Sequence, residues 1–169
     1  MALITENGSI VTGADSYVTR ADYITFAASM GVTVADSDAT DVTLRKSARF
    51  IDSHEPNLKG VTVSRTQTMA FPRAGVSIDN WTWSSDEIPR QVILAQMTIA
   101  LDMEAGIDPY NPPVNPSRAT VEERVEGAVS VRYDNGGATQ KLSRTSTATA
   151  LINSLLISSG LMSITLVRS

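Results

Sequence analysis

The chain has 169 residues, 42% of them hydrophobic and only 5% aromatic, with no cysteine, one histidine (His54) and a formal net charge of −4. That length fits one domain with a real core, and the residue set excludes a disulfide scaffold, a thiolate zinc site, a cysteine nucleophile and a multi-histidine metal site. No run approaches the roughly 18 apolar residues of a membrane span, and the N-terminus lacks a basic stretch followed by a long apolar one, so the expectation is a soluble, intracellularly made, non-enzymatic domain.

Residues 1–14 alternate polar and small residues around Gly8 and Gly13 and read as an extended, loosely held segment. Thr19 with Asp22 three residues later forms a capping box, and Gly31 stands past the end of the helix it opens. On that helix Ala21, Ile24 and Ala28 share one face, broadened by Tyr23, Phe26 and Met30. A second helix is expected from near Asp38 to about Ser53, with Leu44, Ala48 and Ile51 at helical spacing, Arg45, Arg49 and Asp52 on the other side, and Pro56 as its end. Residues 54–87 are irregular, with one short strand at Val61 and Val63; a connection this long has work to do or carries short elements of its own.

Pro89, just behind Asp86 and Glu87, opens a third helix that Gly106 ends. Val92, Ala95, Ile99 and Met103 line one face of it and Leu94, Met97 and Leu101 another. A helix this apolar is central to a core or wedged between a core and a second subunit, and Gln96 on it needs a hydrogen-bond partner. Four prolines make residues 106–118 a stiff linker. Val121–Glu126 and Ala128–Tyr133 read as a β-hairpin around Gly127, and Asp134 to Gly137 as a turn. A fourth helix spans roughly Ser146 to Ser159 on Leu151, Ile152, Leu155 and Leu156, with Gly160 as its stop. The tail beyond it is apolar and β-prone, and a free strand of that kind invites aggregation unless it pairs. The fold expected is mainly α: a small bundle of about four helices over residues 15–160, a short β-hairpin near 121–133, and extended arms at 1–14 and 161–169.

The charge is uneven. Residues 1–110 carry 8 basic and 14 acidic side chains, a sum of −6; residues 111–169 carry 6 basic and 4 acidic, a sum of +2. Such a tail suits docking on another acidic surface, a neighbouring copy among them, although drift in a short segment explains it equally well. Tight sequence-independent nucleic-acid binding draws on Lys and Arg, and the chain has only three lysines.

No constellation carries catalysis, a metal or a cofactor. His54 beside Glu55 reads as a helix C-terminal histidine, favoured by the dipole, rather than a general base. Asp86 and Glu87 read as helix N-terminal charge, and Glu122 and Glu123 point to opposite faces of a strand. Trp81-Thr82-Trp83 is the one feature fit for stacking bases. With Asp79, Asp86 and Glu87 for neighbours it reads better as one indole anchoring the loop and one packing at a subunit contact.

The run SARFIDSHEPNLKGVTVSRTQTMAFPRAGV, followed by IPRQVILAQMTIAL, resembles a phage family labelled DnaT-like single-stranded-DNA-binding protein, whose members resemble head-to-tail connector (adaptor) proteins of tailed phages. Its most specific piece is Gln67, Met69, Phe71, Pro72, Arg73 and Gly75, which matches a Q-x-L-x-W-P-R-x-G core with Phe71 in place of Trp and Met69 in place of Leu. ADSYVTRADYITFAASMG, GAVSVRY and ALINSLL resemble the family's opening helix, late strand and last helix, so the likeness spans about residues 14–157. The resemblance implies a ring of copies, a dodecamer, under the portal protein at the neck of the virion, assembled in the host cytoplasm. It would continue the DNA channel, meet double-stranded DNA transiently, and hand on to a tail, stopper or nozzle protein. Trp81, Trp83, Leu161, Met162, Ile164, Leu166, Val167 and Arg168 become candidate interface residues, with 161–169 docking on the portal or an adjacent subunit. Phe71, Pro72 and Arg73 are expected to fix the long loop on the bundle, Arg73 pairing with an acid such as Asp52 or Glu87. The family label implies single-stranded-DNA binding as the alternative function.

Overall fold

In the computed structural model, which describes residues 2–110, 122–125, 129–132 and 147–157, four α-helices carry the core: α1 (Arg20–Ser29), α2 (Asp38–Asp52), α3 (Arg90–Glu104) and α4 (Thr147–Leu155). α3 is the hub and packs against α2 and α4, with α1 on a smaller contact. The apolar circumference read from its sequence is used inside the molecule, where Val92, Ala95, Ile99 and Ala100 are buried. Gln96 on the same helix is also fully buried and has its partners: Nε2 donates to Ser16 Oγ (2.7 Å) and to the Leu44 carbonyl (3.0 Å), and Oε1 accepts from the Tyr17 N–H (2.8 Å).

The helix boundaries follow local chemistry. Thr19 is the N-cap of α1, its Oγ1 accepting from the Asp22 N–H (3.1 Å) and donating to the Asp22 carboxylate (2.6 Å). The buried face of α1 keeps Tyr23 from the one expected and is otherwise rotated. Tyr23 and Ala27 point inward, whereas Ala21 and Ala28 are exposed and Met30 is 60% exposed. One buried aromatic ring outweighs two alanine methyls in area removed from water, so Tyr23 sets the rotation. Pro89 sits one residue ahead of α3 as its N-cap instead of in its first turn. α4 ends at Leu155, before the expected Ser159, because the chain turns to pair: Leu156 bridges Leu58, the Ile157 N–H donates to Asn57 O (2.7 Å), and Lys59 Nζ reaches the Ser154 carbonyl (2.8 Å). A cation on the last carbonyls of a helix is favoured by the dipole.

Three antiparallel two-stranded ladders complete the described structure: β1 (Val61–Thr62) with β2 (Arg73–Ala74), β3 (Ser77–Ile78) with β4 (Trp81–Thr82), and β5 (Glu122–Val125) with β6 (Val129–Arg132). The last is the hairpin expected near 121–133, in the register Glu122 opposite Arg132 and Val125 opposite Val129. β1 falls on the short strand expected at Val61 and Val63, and β2, β3 and β4 lie in the rest of the stretch read as irregular. The turn at 134–137, the stop at Gly160, most of the proline linker and the C-terminal arm lie outside the described residues.

The N-terminal segment is pinned rather than loosely held. Thr5 bridges Ser16 in parallel, and the Glu6 N–H donates to Ser16 O (2.8 Å). The Glu6 side chain is buried and accepts three backbone N–H groups, from Gly8 (2.9 Å), Ile10 (3.0 Å) and Val11 (2.8 Å). Gly8 is required where it stands: its φ is +101°, and a Cβ there would collide with the carbonyl oxygen of Asp86. Arg45 adds an ion pair to Asp15 (2.5 Å) across to α2. No helix among the described residues is long and apolar enough to cross a membrane.

Candidate functional site

The family-signature residues are brought together, and they face inward. Met69, Ala70, Phe71, Pro72 and Arg73 are all buried, and the Phe71–Pro72 peptide is cis. Gln67 folds the loop on itself: its Nε2 donates to Met69 O (2.8 Å) and Pro72 O (3.1 Å), and its Oε1 accepts from the Ser64 N–H (2.9 Å). Gly75 has φ +75° with open space around it, so the left-handed backbone and not a close approach selects glycine there. The buried Arg73 guanidinium donates to three carbonyls, Lys59 O (2.9 Å), Gly60 O (2.9 Å) and Ala70 O (3.3 Å). Its nearest carboxylate is Glu55, at 3.8 Å, in place of the Asp52 or Glu87 expected. Apart from the half-buried Gln67 and the exposed Gly75, these groups lie inside and hold a scaffold together.

Asp52 belongs to a second buried cluster. Expected on the outer side of α2, it instead accepts from the Tyr17 hydroxyl and from the Ala70 N–H (3.2 Å), while the Phe71 N–H donates to the same Tyr17 oxygen (3.1 Å). Tyr17 and Phe71 meet edge to face, 6.3 Å between centroids. The N-terminal segment, the end of α2 and the signature loop thus meet at one carboxylate. Burial pushes Asp52 up to about 6, against the lowering effect of its hydrogen bonds from Tyr17 and Ala70; Glu55 adds to the rise and Arg49 opposes it. Burial, then the Asp52 charge, holds the Tyr17 hydroxyl well above the usual phenol range. The folded state therefore holds a proton on Asp52 that the unfolded chain releases near pH 4. The resulting stability is fully present below about pH 4 and is lost as pH rises through about 6, on the order of 2 kcal/mol in all. Asp52→Asn keeps an acceptor oxygen and removes the charge. The fall in unfolding free energy between pH 4 and pH 7, read by denaturant melts, is expected to be smaller in this variant by that amount.

His54 behaves as a helix-end histidine: its Nδ1 lies 3.0 Å from Phe50 O and its ring packs edge-on to Phe50 at 5.2 Å. No group of three or more potential metal-ligating side chains converges among the described residues.

The two tryptophans separate. Trp83 is half-buried against the core, with its Nε1 buried and unpartnered. It walls an open groove of about 450 Å³ shared with Thr19, Asp22, Asp86, Glu87 and Ile93. Ser84 donates to Asp86 and holds its carboxyl below the usual range. Trp81, two residues earlier, is exposed. Trp83 is thus the indole that anchors the loop, and Trp81 is the one expected at a subunit contact. The remaining interface candidates, Leu161, Met162, Ile164, Leu166, Val167 and Arg168, lie outside the described residues.

Half of the eight cations of residues 1–110 are committed. Arg20 faces Asp36 (2.7 Å) and the buried Asp41 (3.3 Å), Arg45 faces Asp15, Arg73 is internal and Lys59 caps α4. Lys46, Arg49, Arg65 and Arg90 are exposed. Sequence reasoning missed the Asp52–Tyr17 junction and the Glu6 loop, since neither leaves a periodic or motif-like signal. A tyrosine just before a helix N-cap is the only hint of the first.

Residues 1–169 match the family profile described as "Putative DnaT-like ssDNA binding protein". No curated protein and no solved structure matches the chain.

Proposed function

The chain belongs to the DnaT-like ssDNA binding protein family, and from that premise we propose that it binds single-stranded DNA without catalysing a reaction on it. The observation that carries this reading is a family match running the whole chain, residues 1–169. The charge layout says how such binding works. The phosphate contacts can come from the six basic residues of 111–169 and from the four exposed cations of the body, Lys46, Arg49, Arg65 and Arg90. Releasing counterions from at most ten phosphates gives a slope of log affinity against log salt of about −7 or shallower. Titrating a labelled oligothymidylate at low and moderate salt reads that slope. Absence of binding at low salt overturns the reading.

A second reading, the head-to-tail adaptor, is favoured by a different observation. The signature loop is internal scaffold, the described body is acidic, and Trp81 and Val61 stand exposed on it, a surface suited to protein contact. In this reading copies of the chain form a ring on a portal protein at the virion neck, and an acidic lining lets double-stranded DNA slide past ungripped. Weighing the assembly alone and with portal protein, alongside the same titration, separates the two. A portal-dependent ring without oligonucleotide affinity selects the adaptor.

A further inference from the structure

At 77%, Trp81 is the most exposed large apolar side chain among the described residues. It begins β4, directly after Asp79 and Asn80, whose φ values of 52° and 65° make the left-handed two-residue turn of a tight hairpin. The arm is rooted at both ends. Ile78, opposite Trp81, is 3% exposed, and the Trp83 N–H donates to Val76 O (2.9 Å). The hairpin therefore packs through Ile78, Val76 and Trp83 and holds the indole of Trp81 in water at a fixed place.

We infer that Trp81 is the platform on which an unpaired base of single-stranded DNA stacks, and that it gives the protein a preference for single strands over duplex. This rests on the DNA-binding reading above and adds the residue and its selectivity. Stacking on an indole face needs no charge and tolerates any base. Asp79 stands two residues earlier on the same turn and no basic residue lies between Arg73 and Arg90 in the sequence, so phosphates are not drawn to the ring. A duplex presents phosphates outward and keeps its bases paired; it is not drawn to the ring and finds no face to stack. A single strand turns a base inward and its phosphates outward. The contribution of Trp81 is then non-ionic and independent of salt, in contrast to that of the basic residues.

The test compares the full-length protein with Trp81→Ala and Trp81→Phe, titrated against a labelled oligothymidylate and against a duplex at two salt concentrations. Trp81→Ala is expected to lose roughly tenfold or more in single-strand affinity. Its salt slope, its duplex affinity and its melting temperature stay unchanged, and Trp81→Phe retains most of the affinity. Equal affinity of Trp81→Ala and the parent overturns the inference and leaves the DNA reading standing. Loss of self-association with intact DNA affinity overturns it too and assigns Trp81 to a protein contact. If the parent protein itself binds no oligonucleotide, the DNA reading falls and takes the inference with it.

Discussion

Replacing Arg73 with alanine is expected to lower the unfolding free energy by about 3–5 kcal/mol, the range for breaking a buried charged network. For a chain of this size that corresponds to a fall in Tm of roughly 10 °C. The guanidinium is buried and donates to the carbonyls of Lys59, Gly60 and Ala70. Its removal strands three acceptors at the junction of β1, β2 and the signature loop and leaves a cavity where the side chain ran. Glu55 contributes little: at 3.8 Å and half exposed, its pairing is that of a surface ion pair. Arg73→Lys is expected to recover less than half of the loss, because a point ammonium cannot reach carbonyls spread across the planar fork. Circular-dichroism melts of the three proteins check this. A Tm for Arg73→Ala within about 2 °C of the parent would show that the carbonyls are satisfied another way.

The motif around Arg73 was legible as a motif, but its partners were not. Sequence reasoning looks for charge opposite charge and so expected Asp52 or Glu87. The structure uses backbone carbonyls more than ten positions earlier, which carry no residue signature. The same limit explains β2, β3 and β4, whereas β1 falls on the strand expected at Val61 and Val63. Strands of two residues are too short to show an alternating pattern, although Asp79-Asn80 was a readable turn signal. Helices fared better where periodicity was strong. α2 and α3 sit within a residue or two of their expected bounds, and Thr19 caps α1 as its spacing implied. α1 was misoriented because its alternative faces are nearly equal in hydrophobicity, and only the packing of Tyr23 decides between them. α4 was overextended because its end is set by a tertiary pairing with Asn57–Lys59, to which local propensity is blind. As for function, the signature that identifies the family lies inside the scaffold. Sequence likeness at those positions reports a shared fold more directly than a shared ligand, and the surface residues must be tested on their own.

Gln96 ties α3 to α2 and to the N-terminal segment through one polar side chain, and substitution there is expected to be nearly as costly as at Arg73. Gln96→Leu leaves the Tyr17 N–H buried without an acceptor and removes the donor that serves Ser16 Oγ and Leu44 O. One buried orphaned donor with two weakened acceptors costs about 2–4 kcal/mol. Gln96→Glu is expected to be worse at neutral pH, since it keeps the Tyr17 bond but places a charge in the core facing the Leu44 carbonyl. Burial penalises that charge, so the carboxyl's folded pKa lies above its unfolded one. The stability of this variant must therefore rise as pH falls by more than the Asp52 titration supplies, whereas Gln96→Leu retains the Asp52 dependence alone. Melts at pH 7 and pH 5 distinguish the two. Because the Tyr17 backbone is gripped by Gln96 and its hydroxyl by Asp52, the two sites share one residue. The double variant Gln96→Leu with Asp52→Asn is expected to lose less than the sum of the single losses, by about 0.5 kcal/mol or more. Strict additivity would show that Tyr17 does not transmit between α3 and the signature loop.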